Sequence, residues 1–377
     1  MGAVRILHIG LSGYPGGVEN AVMNYYRCID REQVQFDFVC TEDSLAYSEQ
    51  IDALGGRILY LPSPKRHMLR YRKALRRLIN GGGYDAVHIH MLSAVNLFHA
   101  VFAHGTRVKR IIAHAHNASL PGRVKRIAHR VLKPLVPLFV TERMACSEAA
   151  AVWLFGRRGA KKTRILKNAI DHDAYRYDAA KRQAMRQRYG LASDETVIGH
   201  VGRFGEEKNQ RFLVECLSRL EEHTPRARLL LVGDGPLLES VRQQARALGL
   251  EDRVIFVGGV DTAAPYYPMM DVFCLPSLHE GLGIAAIEAQ ISGLPCLCST
   301  GVPAATAIMQ ATRRIPLAEP EAWVRALAEL AGRERCGADP EELARVGYRA
   351  ADEAVKLQDY YVKGAAYEAT ESAGHQP

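Results

Sequence analysis

The sequence predicts an α/β protein of two doubly wound domains, each with a parallel sheet covered on both faces by helices. Strand-like and helix-like segments alternate along most of the chain, which is typical of parallel strands joined by helical crossovers. One polar and charged stretch, residues 171–195, interrupts the alternation. The 377 residues also exceed the roughly 250–300 residues at which a single hydrophobic core stops growing. We therefore expect two domains joined by a linker.

The N-terminal domain is predicted for residues 1–170 and contains the first alternating run. Short runs rich in β-branched and other apolar residues indicate its strands, and helical patterns fill most of the gaps. The expected strands are residues 4–9, 34–40, 57–61, 84–90, 110–114, 144–147 and 163–167.

The C-terminal domain is predicted for residues 171–350. Its linker stretch should contain one exposed helix, near residues 179–189, before the second alternating run begins. The expected strands are residues 197–201, 227–232, 254–257, 272–275 and 296–298. The alanine-rich tail predicts a final helix within residues 351–377.

Composition indicates a globular protein of a reducing compartment. The chain is 48% hydrophobic and 24% charged, as in ordinary globular domains. Its eight cysteines form no C-x-x-C pair and several lie in apolar runs, which favours buried free thiols over a metal site or disulfides. The N-terminus runs directly into a strand, and no apolar run approaches the roughly 20 residues needed to span a bilayer. We expect a cytoplasmic protein.

The net charge of +8 is unevenly distributed. Residues 103–167 contain fifteen lysines and arginines against two acids, which indicates an anionic partner. Nucleic acid is disfavoured because the segment has no nucleic-acid motif and few aromatic residues among its cations. A helix near residues 123–133 should rest its apolar side on the domain and hold its cations towards an anionic membrane surface. The expected location is the cytoplasm, with peripheral attachment to the inner face of the membrane; the alternative is a solvated helix that merely keeps the protein soluble.

Residues 276–288 carry two carboxylates eight residues apart, Glu280 and Glu288. A buried strand should precede them, and a glycine turn should follow Glu280 and open a helix over residues 284–291. The free N–H groups and positive dipole at that helix N-terminus form a seat for phosphate. Glu280 can then reach a transferred group, and Glu288 the hydroxyls of a ribose.

This segment resembles the E-x7-E signature of retaining glycosyltransferases of the GT-B fold, family 4. The resemblance covers nearly the whole chain, and some of its pieces look most like enzymes of exopolysaccharide or capsule synthesis. It implies two Rossmann-like domains facing a central cleft, with the acceptor bound by the first, the nucleotide sugar by the second, and the C-terminal helix crossing back to the first. Three further motifs carry it: residues 201–209, residues 230–236 and the Gly16-Gly17-Val-Glu loop.

The resemblance implies a role for each donor-binding residue. Glu288 would accept hydrogen bonds from the ribose, and Gly281 and Leu282 would offer backbone N–H groups to the diphosphate or the sugar. Glu280 would contact the donor sugar at its 3- or 4-hydroxyl. Gly16 and Gly17 would belong to the loop that contacts the donor phosphates.

Two cations are expected to replace a metal ion. Arg203 and Lys208 flank the loop after the first strand of the second domain, where they would stabilise the charge that develops on a nucleoside diphosphate leaving group. The one Asp-x-Asp sequence considered as a metal motif, at residues 171–173, falls in the linker. We expect no metal and no other cofactor, with a UDP-linked nucleotide sugar as substrate.

Histidines end several strands of the first domain. His114 and His116 lie at the end of one strand, and His116 matches the sugar-contacting histidine of the family better, with Asn117 as its neighbour. His88 and His90 resemble a metal pair, but no third ligand has matching spacing. They are interpreted as core residues.

Other functions are weighed against a retaining hexosyltransferase that acts on a lipid-linked or polysaccharide acceptor. A nucleotide-sugar 2-epimerase of the same fold would need acid/base carboxylates in the first domain, where the strand ends carry histidines. A non-catalytic sugar-nucleotide sensor would lack sugar-facing residues such as Glu280 and His116. A dinucleotide-dependent oxidoreductase is disfavoured because the chain lacks the full G-x-G-x-x-G pattern.

Overall fold

The computed structural model describes residues 2–117, 122–220, 224–331, 333, 335, 341 and 345–364. They form two compact units. The first contains the chain up to Ile170 together with the C-terminal segment from Gly347, and the second is Asp171–Val346.

The first unit is built on a seven-stranded parallel sheet with the order β3-β2-β1-β4-β5-β6-β7. The strands are β1 (Val4–Ile9), β2 (Val34–Cys40), β3 (Arg57–Tyr60), β4 (Ala86–Met91), β5 (Arg110–Ala115), β6 (Glu142–Ala145) and β7 (Arg164–Ile165). The helices are α1 (Gly17–Cys28), α2 (Ser48–Ala53), α3 (Pro64–Gly81), α4 (Phe98–Ala103), α5 (Arg123–Leu132), α6 (Val136–Phe139) and α7 (Glu148–Ala160), with 3₁₀ turns at Ala94–Leu97 and Lys133–Leu135.

The second unit is built on a six-stranded parallel sheet with the order β10-β9-β8-β11-β12-β13. The strands are β8 (Thr196–Val201), β9 (Ala227–Val232), β10 (Val254–Gly258), β11 (Val272–Leu275), β12 (Cys296–Ser299) and β13 (Thr312–Ile315). The helices are α8 (His172–Tyr175), α9 (Ala179–Arg188), α10 (Gln210–Arg219), α11 (Leu238–Ala247), α12 (Ile284–Ile291) and α13 (Pro320–Ala331), with 3₁₀ turns at Glu251–Arg253, Tyr267–Met269 and Ala304–Thr306.

The central strands are buried on both faces, which explains their nearly continuous apolar sequences. In each unit two apolar clusters, one per face, fill the space between the sheet and its helices. The predicted α/β fold with two parallel sheets is therefore confirmed. Strand β13 was not predicted, because Thr312-Arg-Arg-Ile is short and charged, as an edge strand can be.

The final helix, α14 (Ala350–Lys363), packs against α1 in the first unit. Its Ala354, Leu357 and Tyr361 are buried in the same apolar cluster as α1 and β2. Arg110 on β5 fastens its end by donating to the carbonyls of Tyr360 and Tyr361, at 3.1 and 2.7 Å. The predicted return of the chain to the first domain is confirmed; residues 365–377 of the predicted helix lie outside the described residues.

Helix α9 is the predicted linker helix, and seven of its ten residues are exposed. Arg186 is buried, and Arg182 and Arg186 both donate to the carboxylate of Asp271, which precedes β11, at 2.6 and 3.2 Å. Two guanidinium groups that converge on one carboxylate fix the helix to the second sheet. The sequence did not indicate this contact, because arginines on a polar helix usually lie on a solvated face.

Two expectations from composition, buried thiols and the lack of a membrane-spanning segment, agree with the described part of the structure. The seven cysteines within the described residues form no disulfide with one another and five of them are buried, while Cys336 lies outside those residues. No described helix has both the length and the apolar character required to cross a bilayer.

Candidate active site

The second sheet has its topological switch between β8 and β11. The chain leaves β8 towards β9 and β10 on one side, then returns to β11 on the other side. Loops after two such strands diverge and leave a crevice at the carboxyl edge of the sheet, where doubly wound proteins bind ligands. The predicted loops, residues 202–209 after β8 and 276–283 after β11, are the two that meet there.

An ion pair joins these two loops. Lys208 Nζ donates to Glu280 Oε1 at 2.6 Å, and Ser277 Oγ donates to the same oxygen at 2.6 Å. Only 20% of the Lys208 side chain and 11% of the Glu280 side chain are exposed, so the pair is shielded from bulk solvent. The ammonium and the carboxylate are thereby held in one geometry, although 72 residues separate them along the chain.

Close backbone packing shapes the loop after β8. Gly233 and Gly235 follow β9 with φ of +139° and +155°, and a Cβ on either would lie 2.1 Å from Gly202 O or 2.4 Å from Phe204 O. Only glycine fits such an approach. The aliphatic part of Lys208 lies over Gly202 in turn.

Arg203 belongs to the same loop and is exposed. Its guanidinium makes no ion pair or side-chain hydrogen bond within the described part of the chain. Among the described residues, Arg203 therefore has no anionic partner, whereas Lys208 in the same loop is paired with Glu280.

Helix α12 begins directly after the glutamate loop. Gly283 caps it with φ +77°, a conformation that favours glycine. The N–H groups of Gly281 and Leu282 have no acceptor among the described residues, and Gly281 is exposed. These free donors and the helix dipole make the position suited to an anion, and its use as a phosphate site stays a prediction.

Glu288 lies on α12 and is 5% exposed. Tyr267 Oη donates to its Oε2 at 2.5 Å, and Tyr175 also bonds to the carboxylate. Burial raises the pKa of Glu288 above its ordinary value, against the lowering effect of these two hydrogen bonds. A carboxylate offers about four lone-pair positions, so two tyrosine hydroxyls leave hydrogen-bond acceptor positions of Glu288 unused.

In the first unit, the N-terminus of α1 follows β1 through the loop of Gly16 and Gly17. Glu19 folds back to accept hydrogen bonds from the backbone N–H and the hydroxyl of Ser12, at 2.8 and 2.9 Å, which closes the loop. Among the described residues, none accepts a hydrogen bond from the N–H of Gly16 or Gly17. A Cβ on Gly17 would meet nothing within 4 Å, so this end of the helix is open to a ligand.

His116 follows β5 and belongs to an array of five histidine side chains on one face of the first sheet. This histidine array consists of His8, His88, His90, His114 and His116. His90 Nδ1 and His116 Nε2 are 2.9 Å apart, while His116 Nδ1 is buried without a hydrogen-bond partner among the described residues. Burial lowers the pKa of His116 to about 3, so its ring is neutral at physiological pH.

The array corrects the argument that His88 and His90 lack a third metal ligand. One nitrogen from each of His88, His90 and His114 lies within 4.8 Å of the other two. The spacing along the sequence could not show this, because β5 contributes the third ring from a neighbouring strand. These rings are the described residues that could hold a transition metal.

Helix α5 corrects a second prediction, because its apolar side faces away from the domain. His129 anchors the helix: it accepts a hydrogen bond from the Ala94 N–H and stacks on Trp153 with 3.9 Å between ring centroids. Val124, Ile127 and Val131 lie on the opposite face and are 80%, 56% and 67% exposed.

Two protein-family models match this chain. Residues 15–174 match the model described as Glycosyltransferase Family 4, and residues 181–351 match the model described as Glycosyl transferases group 1. A protein of Bacillus subtilis (strain 168), named as the glycosyltransferase EpsF, is 35% identical over 370 residues, which span 95% of this chain and 96% of that protein. The chain is a family 4 glycosyltransferase.

More distant proteins resemble this family 4 glycosyltransferase along most of its length. An Escherichia coli protein named UDP-Gal:alpha-D-GlcNAc-diphosphoundecaprenol alpha-1,3-galactosyltransferase is 23% identical over 312 residues, 78% of this chain and 79% of that protein. The crystal structure of HepE from Anabaena in complex with UDP and glucose superposes with a TM-score of 0.72 at 20% identity, covering 96% of this chain and 97% of that one. This likeness shows the shared GT-B fold.

Several residues that complete the site of this family 4 glycosyltransferase were not predicted. Ser277, which shares the Glu280 oxygen, lies three residues before it and could have been found by that spacing. The Glu288 carboxylate accepts hydrogen bonds from Tyr175 and Tyr267. The ring of His116 contacts His90, which in turn contacts His8. All of these partners are distant in the sequence and come together only in the folded chain. No local sequence signal indicates those contacts.

Proposed function

We propose that this glycosyltransferase transfers a hexose from a UDP-linked donor to a lipid-linked saccharide, with retention of anomeric configuration and without a metal ion. The observation that carries the proposal is the Lys208–Glu280 pair, held at the carboxyl edge of the second sheet beside the unpaired Arg203. A fixed cation stabilises the negative charge that develops on a diphosphate as the glycosidic bond breaks, and a neighbouring carboxylate can accept a hydrogen bond from a hydroxyl of the transferred sugar.

The donor would be held from both ends. Glu288 accepts the ribose hydroxyls, with charge-assisted hydrogen bonds of about 1.5–3 kcal/mol each. The diphosphate lies against the N–H groups of Gly281 and Leu282, between Arg203 and Lys208. The N-terminus of α1 in the first unit, at Gly16 and Gly17, is a second position with unpaired N–H groups suited to phosphate.

Leaving-group stabilisation is the main catalytic task of this arrangement. As the glycosidic bond breaks, negative charge grows on the diphosphate, and a preformed positive site stabilises that state more than the ground state. Lys208 and Arg203 supply the charge that a metal ion would otherwise supply. Glu280 orients the sugar through a ring hydroxyl, and the acceptor attacks on the face from which UDP departs.

The names of two relatives support the acceptor class. The E. coli relative is named for transfer to a saccharide on diphosphoundecaprenol, and a Komagataeibacter xylinus relative for transfer to cellobiosyl-diphosphopolyprenol. We extend a lipid-diphosphate acceptor from these names to this chain, and we propose exopolysaccharide assembly as its role.

Retention and metal independence are tested in one experiment. The protein is incubated in excess EDTA with a panel of UDP-hexoses and a short-chain polyprenyl-diphosphate saccharide, and the product is followed by proton NMR. An α-linked donor should give an α-linked product at the rate seen with magnesium. A β-linked product would contradict retention, activity restored only by a divalent ion would contradict metal independence, and release of a 2-epimer would favour the epimerase.

The membrane would be recognised by α5. Its exposed apolar face is bordered by Arg123, Lys125, Arg126 and Arg130, all exposed. A helix with an outward apolar stripe between cations lies in the head-group region of an anionic bilayer. Each cation contributes about 1 kcal/mol near such a surface, and each inserted aliphatic side chain up to about 1.5–3 kcal/mol.

Liposome flotation tests this surface with two charge-matched variants. Changing Lys125, Arg126 and Arg130 to glutamate should abolish flotation with anionic vesicles. The same change at Arg176, Lys181 and Arg188, three exposed cations of the second unit, should leave flotation intact. The serine variant of Val124, Ile127 and Val131 should still float at low salt and lose binding at high salt. Equal flotation of all variants would rule out α5 as the contact.

A further inference from the structure

His200 lies near the end of β8, beneath the loop that carries Arg203 and Lys208. Its side chain is fully buried. A Cβ on Gly202 would lie 3.1 Å from His200 Nε2 and 3.4 Å from the aliphatic part of Lys208, so the ring packs directly against this loop. The contacts proposed above for the nucleotide sugar give this histidine no part.

The proton of the His200 ring is placed by a backbone carbonyl. Burial lowers the pKa of His200 to about 4, so the ring is neutral at physiological pH and carries one proton. Its Nδ1 lies 2.9 Å from the carbonyl oxygen of Cys274 on β11. Because a carbonyl oxygen can only accept, Nδ1 carries the proton and Nε2 presents a lone pair.

Gln210 donates to this lone pair. It is the first residue of α10 and is 1% exposed. Its Nε2 lies 3.0 Å from the carbonyl oxygen of Arg203 and 3.3 Å from His200 Nε2, and the two N–H groups of the amide serve these two acceptors. Turning the amide by 180° would set its oxygen against a carbonyl oxygen and a lone pair. The tautomer of His200 therefore also fixes the orientation of Gln210.

The side chains of His200 and Gln210 form a polar bridge from β11 to the peptide of Arg203. His200 donates to the carbonyl of Cys274 at one end, and Gln210 donates to the carbonyl of Arg203 at the other. Among the described residues, no backbone N–H donates to the Arg203 carbonyl, which lies beyond the end of β8. The polar bridge is thus the group that holds this peptide.

We propose that His200 and Gln210 are positioning residues for the diphosphate site, because they fix the peptide of Arg203 and with it the direction of its guanidinium group. The proposal rests on the proposed function for the role of Arg203 in binding the diphosphate. The exposed side chain of Arg203 has no anionic partner within the described part of the chain, so contacts of its own do not orient it. A fixed backbone lowers the conformational entropy that the side chain loses when a ligand binds.

The other end of the loop is held by separate contacts. The N–H of Leu278 donates to the carbonyl of Glu207 at 2.8 Å, and Lys208 is paired with Glu280. Neither contact involves the polar bridge. Loss of the polar bridge should therefore displace Arg203 and leave Lys208 in place.

Calorimetry with UDP tests the positioning role without requiring transfer. Gln210→Met keeps the length of the side chain and removes both N–H groups, so UDP affinity should fall about tenfold, the worth of one hydrogen bond. The matched control is Leu217→Ala, which opens a cavity behind the same helix and should keep the wild-type affinity. Unchanged affinity in Gln210→Met, or an equal loss in Leu217→Ala, would overturn the proposal.

A double-mutant cycle separates positioning of Arg203 from a general effect on the fold. In Arg203→Met the guanidinium group is absent, so adding Gln210→Met should cost no further UDP affinity. The same tenfold loss in both backgrounds would contradict the proposal. Gln210→Asn, which withdraws the amide by one methylene group, gives the same comparison if the methionine variant does not fold.

Long-range proton–nitrogen NMR of the full chain with ¹⁵N-labelled histidine tests the polar bridge without any nucleotide. His200 should be the Nδ1–H tautomer, and Gln210→Met should shift its Nε2 signal without changing the tautomer. An Nε2–H tautomer would overturn the proposal, because it leaves no lone pair for Gln210.

The two proposals fail in distinguishable ways. If UDP does not bind the wild-type protein, the proposed function fails, while the tautomer of His200 still tests the polar bridge. If UDP binds the wild type and Gln210→Met equally well, the proposed function stands and the positioning role is refuted.

Discussion

Replacing Lys208 by methionine should lower kcat/KM by about two to three orders of magnitude, the usual cost of one preorganised electrostatic contact in a transition state. Methionine keeps most of the aliphatic stem over Gly202 and removes only the charge. Initial rates over a range of donor concentrations, with UDP affinity from calorimetry, separate catalysis from binding. The control is Arg211→Met, an exposed cation three residues later that bonds to Ser240. A wild-type kcat/KM in Lys208→Met would refute the assigned role.

The ion pair makes a second comparison informative. Lys208 could act on the diphosphate, or only by holding Glu280 in place. If it acts only through Glu280, the double variant Lys208→Met with Glu280→Gln should be no slower than Glu280→Gln alone. A further loss of about tenfold or more in the double variant would show that the ammonium acts on the leaving group directly.

Mild acid should unfold the protein, because the histidine array can be protonated only in the unfolded chain. The pKa of each ring is lower in the folded state than the ordinary 6.5. The free energy of unfolding is therefore highest above pH 6.5, and it decreases as the pH falls towards the pKa values of the folded protein. Between pH 6.5 and 5.5 each ring costs about 1 kcal/mol of unfolding free energy. Five rings together lose about 5 kcal/mol, comparable with the total stability of many domains. Urea unfolding at a series of pH values measures the slope.

Single variants assign this slope to particular rings. His8→Gln should make the unfolding free energy less dependent on pH by about one proton between pH 5.5 and 6.5. An unfolding free energy that is independent of pH in the wild type would mean that the rings are not buried as neutral bases.

The sequence was sufficient to predict every described strand except β13, because buried parallel strands and glycine turns leave local signals. The run from Val272 to Leu275, followed by Glu280 and Gly283, indicated a strand, a loop and a helix, and all three form where expected. The family was predictable because four such local motifs occur in the right order. The roles of individual residues in the site remain predictions.

The errors arose where the surroundings of a side chain, and not its own segment, decide its environment. Arg186 is buried because it pairs with Asp271, which lies in another segment of the chain. Val124 is exposed because His129 anchors the opposite face of the same helix. The histidine array was missed because neighbouring strands assemble it. Periodicity shows that two faces of a helix differ, but it does not show which one meets the protein.

The return of α14 to the first unit has a consequence for synthesis on the ribosome. The first unit needs Ala354, Leu357 and Tyr361 to cover the apolar surface between α1 and its sheet, yet the 176 residues of the second unit are translated before them. At about 5–20 residues per second, that surface stays uncovered for roughly 10–35 seconds. The N-terminal domain is therefore incomplete until the second unit and α14 have been translated, and we expect chaperones to bind the uncovered apolar surface during that interval.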